Sequence, residues 1–150
     1  MKLNYTGQEK VSADPQKVWD FVLDPNKVAS CLPDTQEIVV KDDRNFDAVV
    51  GVAVGPVRGK FKFNIELVPD QANNKMAVKL RGGGLGTAID LTASANINGQ
   101  PDQTTLLDWQ GEANVSGPAA TVGGRVLDAQ AKKLISTVFE NMGKKIGEQA

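Results

Sequence analysis

Lys60-Phe61-Lys62-Phe63-Asn64-Ile65-Glu66-Leu67 alternates polar and large apolar residues at every step. Successive side chains of a strand point to opposite faces, so a period of two reads as a strand with one buried and one wet face. The same reading extends outward from this stretch. Residues 36–41, 46–54, 58–68, 75–83, 88–98 and 104–116 each alternate or run apolar at strand length. Asp42-Asp43-Arg44-Asn45, Gly55-Pro56-Val57, Pro69 to Asn74, Gly82 to Gly86 and Asn98 to Asp102 separate them. All these connectors are short and rich in turn formers, as hairpins require. Residues 2–11 add a first strand with Leu3, Tyr5 and Val11 on one parity. An antiparallel sheet of seven strands is predicted. Its inward residues include Ile89, Leu91, Ala93, Ala95 and Ile97 on one strand, and Leu107, Trp109, Gly111, Ala113 and Val115 on the next.

The ends of the chain switch to helical spacing. Ser12 or Asp14 can cap, Pro15 suits a first helical position, and Val18, Trp19, Val22 and Leu23 share one face before Asp24-Pro25. A second short helix over 26–31 would bury Val28, Ala29 and Leu32, stopping ahead of Pro33. After Gly117-Pro118 the spacing predicts one long helix to about Gly147. Ala120, Leu127, Ala131, Leu134, Val138 and Met142 fall on its stripe, with Ile135, Phe139 and Ile146 on the flank. Ala119, Val122 and Val126 widen the apolar arc of its first third, which is expected to meet the two short helices.

Composition narrows the chemistry. The 150 residues carry 17 Lys and Arg against 18 Asp and Glu, a net charge of −1, so no basic surplus exists to bind nucleic acid. Histidine is absent, which removes imidazole metal ligation and every His-dependent catalytic arrangement. The single Cys31 can form neither an internal disulfide nor a thiolate zinc site and points to a reducing compartment. Met1-Lys2-Leu3-Asn4-Tyr5 lacks the apolar run of a signal peptide, and no window approaches the roughly 18 apolar residues that span a bilayer. A cytoplasmic protein forming one domain over residues 1–150 is expected.

Side-chain size then matters. Ala93, Ala95, Gly111, Ala113, Gly123, Gly124 and Ala131 are small residues on the faces that meet. They permit two readings: close helix-on-sheet packing, or a cavity lined by Phe61, Phe63, Leu91, Ala93, Leu107, Trp109, Gly111, Leu127, Ala131, Leu134 and Val138. Such a cavity would be almost wholly apolar. Cys31, Leu32, Gly83, Gly84 and Leu85 are the candidate mouth. The run Gly82-Gly83-Gly84-Leu85-Gly86 lacks the Lys-Ser/Thr of a phosphate loop, so a flexible hairpin gating the mouth is the better reading. Cys31 beside Leu32 and Pro33 reads as an inert small hydrophobe more readily than as a reactive thiol. Asp42, Asp43 and Asp47 have no metal-binding spacing and read as a solvated turn. No metal ligands and no catalytic residues are predicted.

Asp14-Pro15 to Trp19, Asp24-Pro25, Cys31-Leu32-Pro33, the stretch Val54-Gly55-Pro56-Val57-Arg58-Gly59-Lys60-Phe61 and the glycines before the last helix together resemble the carbon monoxide dehydrogenase G-subunit (CoxG) family, of the START-like (SRPBCC) superfamily. The match runs over nearly the whole chain. The resemblance implies an α+β helix-grip fold, with a seven-stranded antiparallel sheet and two short helices wrapped around a long C-terminal helix and a deep cavity beneath it. It further implies service to a molybdenum hydroxylase of the carbon monoxide dehydrogenase type, by membrane recruitment or through a quinone held in the cavity. Two departures stand out. The family commonly has glycine after Cys-Leu-Pro, where this chain has Asp34. Many members also carry a membrane-anchoring C-terminal extension, and with Ala150 as the last residue no such anchor is expected.

The expected function is non-catalytic. The chain would hold an apolar small molecule, quinone-like or lipid-like, need no resident cofactor, and touch a membrane only transiently and peripherally at its inner face. The alternatives are a polyketide cyclase or aromatase using the same cavity, and a protein-interaction module whose cavity is vestigial.

Overall fold

Asp14 and Asp24 start helices by the chemistry their sequence context suggests. In the computed structural model, which describes residues 1–54, 57–118, 120 and 123–148, Asp14 Oδ1 accepts the Lys17 N–H at 3.0 Å. Asp24 Oδ1 accepts the Asn26 N–H at 2.9 Å. Each aspartate is followed by proline, whose missing N–H costs nothing in a first turn. Helices α1 (Pro15–Val22) and α2 (Pro25–Ala29) result, placed between β1 (Lys2–Val11) and β2 (Thr35–Val40). Then come β3 (Asn45–Val54), β4 (Val57–Asp70), a short 3-10 turn, β5 (Lys75–Gly84), β6 (Thr87–Gly99) and β7 (Thr105–Ser116), and α3 (Gly124–Glu148) follows. The strands form one antiparallel sheet in the order β1-β7-β6-β5-β4-β3-β2. Gly55, Pro56, Ala119 and Val122, which figured in the sequence reading, lie outside the described residues.

Strand parity holds in β4, though not in the edge strand β2, where the neighbouring Ile38 and Val39 are both exposed. Phe61, Ile65 and Leu67 are buried while Lys60, Lys62 and Asn64 are more open to solvent. The glycine run differs from the flexible connector expected of it. Gly82, Gly83 and Gly84 are strand residues, with Gly83 paired to Lys62 on one side and Ala88 on the other. Only Leu85 and Gly86 turn, both at positive φ (54° and 78°), the pattern of the tight hairpin turns that match sheet twist.

The long helix begins later than the spacing predicts. Gly123 sits at φ 100°, in the left-handed region that a right-handed helix cannot propagate through. The helix is also rotated relative to the predicted stripe. Leu134 is 46% exposed, and the half-buried Ile135 takes the inner position beside Ala131 and Val138. Adjacent apolar residues on a helix sit ~100° apart, so packing farther along decides which one turns in. Here Ile146, 1% exposed, anchors the helix.

That anchor also corrects which part of α3 meets the short helices. Val138, Phe139 and Met142, from its C-terminal half, pack against the cluster containing Val18, Phe21, Val22 and Ala29. Asn141 Nδ2 donates to the Cys31 carbonyl at 3.0 Å. Val126, near the other end, is 40% exposed. No helix of the described residues is long and apolar enough to cross a membrane.

Two stability differences are expected in urea denaturation. Ile146→Ala should cost about 2–5 kcal/mol, as a buried methylene deletion does, whereas Leu134→Ala should change stability by less than about 0.5 kcal/mol. Asp34 lies at φ 59°, where a Cβ is strained and glycine is not. Asp34→Gly should therefore raise the melting temperature by about 2 °C, from a gain of roughly 0.5–1 kcal/mol.

Candidate functional site

The inner face of the sheet is packed at its two ends and thinly filled between them. At one end, Val11, Val18, Phe21, Phe46, Leu67, Ile97, Leu107 and Ile146 form a buried cluster roofed by the short helices. At the other end, Phe61 and Val115 are buried with Leu3, Ile89, Ala120 and Leu127 against them. Leu91, Ala93, Ala95, Trp109 and Gly111 on the sheet, and Ala131 and Ile135 on α3, belong to neither cluster and remain half-buried, though they lie on the facing sides of sheet and helix. Helix α3 makes its more extensive backbone approaches to β1 and β3 rather than to the four strands between them. A helix that approaches β1 and β3 more closely than the strands between them leaves the middle rows thinly covered, while surface pockets of the described residues open elsewhere, beside Lys10, Asp102 and Leu106 and beside Leu23, Asp24 and Arg44.

Side-chain volume explains why the middle is thinly filled. Tyr5, Gly111 and Ala93 are consecutive partners across β1, β7 and β6, so the row beside Tyr5 carries hydrogen and methyl where other rows carry Leu or Phe. Next to it, Trp109 lies over Gly7, its register partner. A Cβ at Gly7 would fall 2.5 Å from the indole ring, so only glycine lets the ring lie flat there. Phe139 of α3 stacks on the same indole with centroids 5.5 Å apart.

The candidate lining residues thus divide. Phe63, Leu91, Ala93, Trp109, Gly111, Leu127, Ala131 and Val138 face inward with surface still accessible. Phe61 and Leu107, 1% and 3% exposed, are sealed within the two end clusters and offer almost no surface to the candidate cavity. Leu134 points away from it. At the candidate mouth, Cys31 is fully buried and its thiol donates to the Lys27 carbonyl at 3.5 Å. Burial pushes that thiol's pKa up, and with 0% of its surface exposed Cys31 sits in the core cluster, not at a mouth. Leu32 is half-buried against the same core. Gly83 and Gly84 are held in the ladder, which leaves Leu85, 54% exposed, as the projecting residue of that hairpin. Its side chain lies over Gly59, where a Cβ would approach Leu85 Cδ1 to 2.9 Å.

Sequence reasoning missed one polar contact. Tyr5, 8% exposed, donates its hydroxyl to Asp128 Oδ1 of α3 at 2.9 Å. Burial, and after it the hydrogen bond to the Asp128 carboxylate and that charge itself, raise the Tyr5 pKa from 10.0 to about 12. A carboxylate between Leu127 and Ala131 on the inner side of a helix was the available signal. Among the described residues no group of three metal-binding side chains occurs. Asp42 instead caps its own turn by accepting the Arg44 N–H at 2.8 Å.

Tyr5 is the only tyrosine of the chain, so phenolate absorbance reports on it alone. In native protein the absorbance should rise with a midpoint near 12, against 10.0 for the unfolded chain. Because the folded-state value is the higher one, Tyr5 contributes stability that is complete below pH 10 and is lost as pH climbs toward 12. Tyr5→Phe should abolish both the absorbance change and that part of the alkaline stability loss.

The model of the CoxG family, the G subunit of carbon monoxide dehydrogenase, matches residues 7–147. No curated protein matches the chain. Among solved structures, a conserved protein from Geobacillus kaustophilus superposes with a TM-score of 0.87 at 23% identity, over 97% of this chain and 96% of that one. A START superfamily protein from Mycobacterium smegmatis gives 0.73 at 14% identity, over 98% and 99%. The Zhui aromatase/cyclase from Streptomyces sp. R1128 gives 0.71 at 11% identity, over 99% and 96%. At these identities the structures establish the fold, an α+β helix-grip arrangement of the START-like kind. With a family model matched from Gly7 to Gly147, the chain belongs to the carbon monoxide dehydrogenase CoxG family.

Proposed function

We propose that this chain is a non-catalytic binding protein that holds an apolar small molecule, quinone-like or lipid-like, under α3. The observation that carries this reading is the row of small, half-buried residues, Gly111, Ala93 and Ala131, between two packed clusters. Filling such a space with hydrocarbon gains ~0.8 kcal/mol per buried methylene, about 8 kcal/mol gross for ten. Immobilising the ligand costs several kcal/mol, which leaves roughly micromolar affinity. That strength suits pick-up and release.

Family membership supports a further step. On this reading the chain is accessory to a molybdenum hydroxylase of the carbon monoxide dehydrogenase type, and delivers or collects its ligand there. A cyclase-like enzyme is the second reading, favoured by the Tyr5–Asp128 pair and by the fold shared with an aromatase/cyclase. However, Tyr5 keeps its proton up to about pH 12, which suits holding a group better than transferring a proton near neutrality. A cyclase would further call on Arg81, Asp108, Asn141 or Lys145 for polar chemistry; Arg81 and Asp108 are exposed on the outer face, Asn141 is half-buried and spends its amide on the Cys31 carbonyl, and Lys145 is half-buried.

Ligand-free protein titrated with menaquinone or a long-chain lipid should melt at higher temperature. At a hundredfold excess over Kd the gain is ~2.7 kcal/mol, or about 5–10 °C for a domain of this size. Ala93→Phe, or Ala131→Phe, should occupy the hollow and abolish the ligand-induced shift while the protein stays folded. No shift with any of a broad panel of apolar ligands would overturn the carrier reading and leave a surface-only interaction role.

A further inference from the structure

Tyr5 and Asp128 are 123 positions apart in sequence and meet beside the row of small inward residues. Tyr5 is on the inward parity of β1, and its two neighbours across the sheet are Gly111 and then Ala93. On the carrier reading, the room for a ligand over those two small residues begins at the tyrosine ring. Asp128 comes from the adjoining side of α3, one residue past Leu127 and three before Ala131.

The hydrogen-bonding inventory of this pair is one-sided. A phenol has a single donor, and Tyr5 spends it on Asp128 Oδ1. What remains is the phenol oxygen as acceptor and Asp128 Oδ2, which bonds to no described residue. A carboxylate oxygen is an acceptor with no donor of its own. No buried side-chain oxygen lacks a partner among the described residues, so Oδ2 stays open to a small group. Among the described residues no lysine or arginine forms an ion pair with Asp128, and its side-chain hydrogen bond is to Tyr5. An open carboxylate oxygen beside an apolar space recognises a group that brings its own hydrogen.

We propose that Tyr5 and Asp128 form a head-group subsite that selects amphipathic ligands whose polar end donates a hydrogen bond, a hydroxyl above all, over pure hydrocarbons and over ligands with acceptors only, so that of a quinone-like pair the reduced, hydroxyl-bearing form is held more tightly than the oxidised one. The inference rests on the carrier reading above and adds orientation to it: the tail lies over Ala93 and Gly111 and the hydroxyl points at β1. Tyr5 holds the carboxylate in place, and Asp128 makes the contact.

The test is calorimetric titration of the protein with para-octylphenol, its methyl ether para-octylanisole, and octylbenzene. These share ring and tail and differ in whether the head donates, only accepts, or does neither. Wild-type protein should bind the phenol about tenfold more tightly than the ether, the discrimination expected of one hydrogen bond to a charged acceptor. Asp128→Asn replaces Oδ2 with a donor and should bring phenol and ether to within about twofold. Tyr5→Phe should weaken the preference as well, while octylbenzene affinity stays constant across all three proteins. If Tyr5→Phe does not fold, Asp128→Asn decides the matter, since its site is half-buried on a helix. Equal binding of the three ligands to wild type would overturn the subsite and leave the carrier reading standing, as would a phenol preference that survives in Asp128→Asn. Failure of all three ligands to bind would overturn the carrier reading and the subsite together.

Discussion

One helix has to cover the inner face of seven strands. Six strand spacings span ~29 Å when flat, and a helix with its side chains is only about 10–12 Å across. The apolar surface of Phe46, Phe61, Ile65, Leu67, Ile97, Leu107 and Val115 cannot be hidden that way. The sheet therefore curls until both β1 and β3 come near α3, and the short helices α1 and α2 close one end with Val18, Phe21 and Ala29. Curling draws the margins toward the helix and holds the middle strands away. A thinly covered middle is a geometric consequence of the element count.

Whether such a middle stays thinly filled depends on what its rows carry. Leu or Phe at 93 and 111 would fill it, and the chain would gain contacts that a void forfeits. With Ala93 and Gly111 there, the protein carries a thinly packed zone while its ends are packed normally. Trp109 marks the border. Gly7 beneath it and Phe139 above it fix the indole as a wall, so the neighbouring space does not collapse by rotation of that ring. A ligand held there restores the missing contacts, which links the packing pattern to the function proposed for this CoxG family member.

Polarity is distributed with equal economy. The outer face is charged and its ion pairs, such as Lys2–Glu112 at 2.8 Å and Lys10–Asp102 at 3.1 Å, are exposed and worth little to stability. The inner face has Tyr5–Asp128 at one margin, a hydrogen-bonded pair that offsets part of the cost of drawing polar groups out of water. Such an asymmetric lining gives an otherwise uniform hydrocarbon surface a direction.

The strands were legible because a period of two is a local property: Phe61 to Leu67 alternate whatever the chain does elsewhere. So were the starts of α1 and α2, where Asp14-Pro15 and Asp24-Pro25 act over three residues. The motifs around Cys31 and Gly59 pointed to the right family for the same reason, since they are contiguous. What needed tertiary structure was anything fixed by contacts between distant segments. Spacing alone allowed Leu134 or Ile135 to face inward, and Ile146 packing against α1 and α2 chose Ile135. Cys31 looked like an entrance until α2 and Asn141 were folded over it. The Tyr5–Asp128 contact joins the first strand to the last helix, and no periodicity encodes it. Sequence determines which surfaces are apolar and how they alternate, because that depends on neighbours along the chain. Which of them touch, and what space is left between them, depends on how far one helix can reach across a curled sheet.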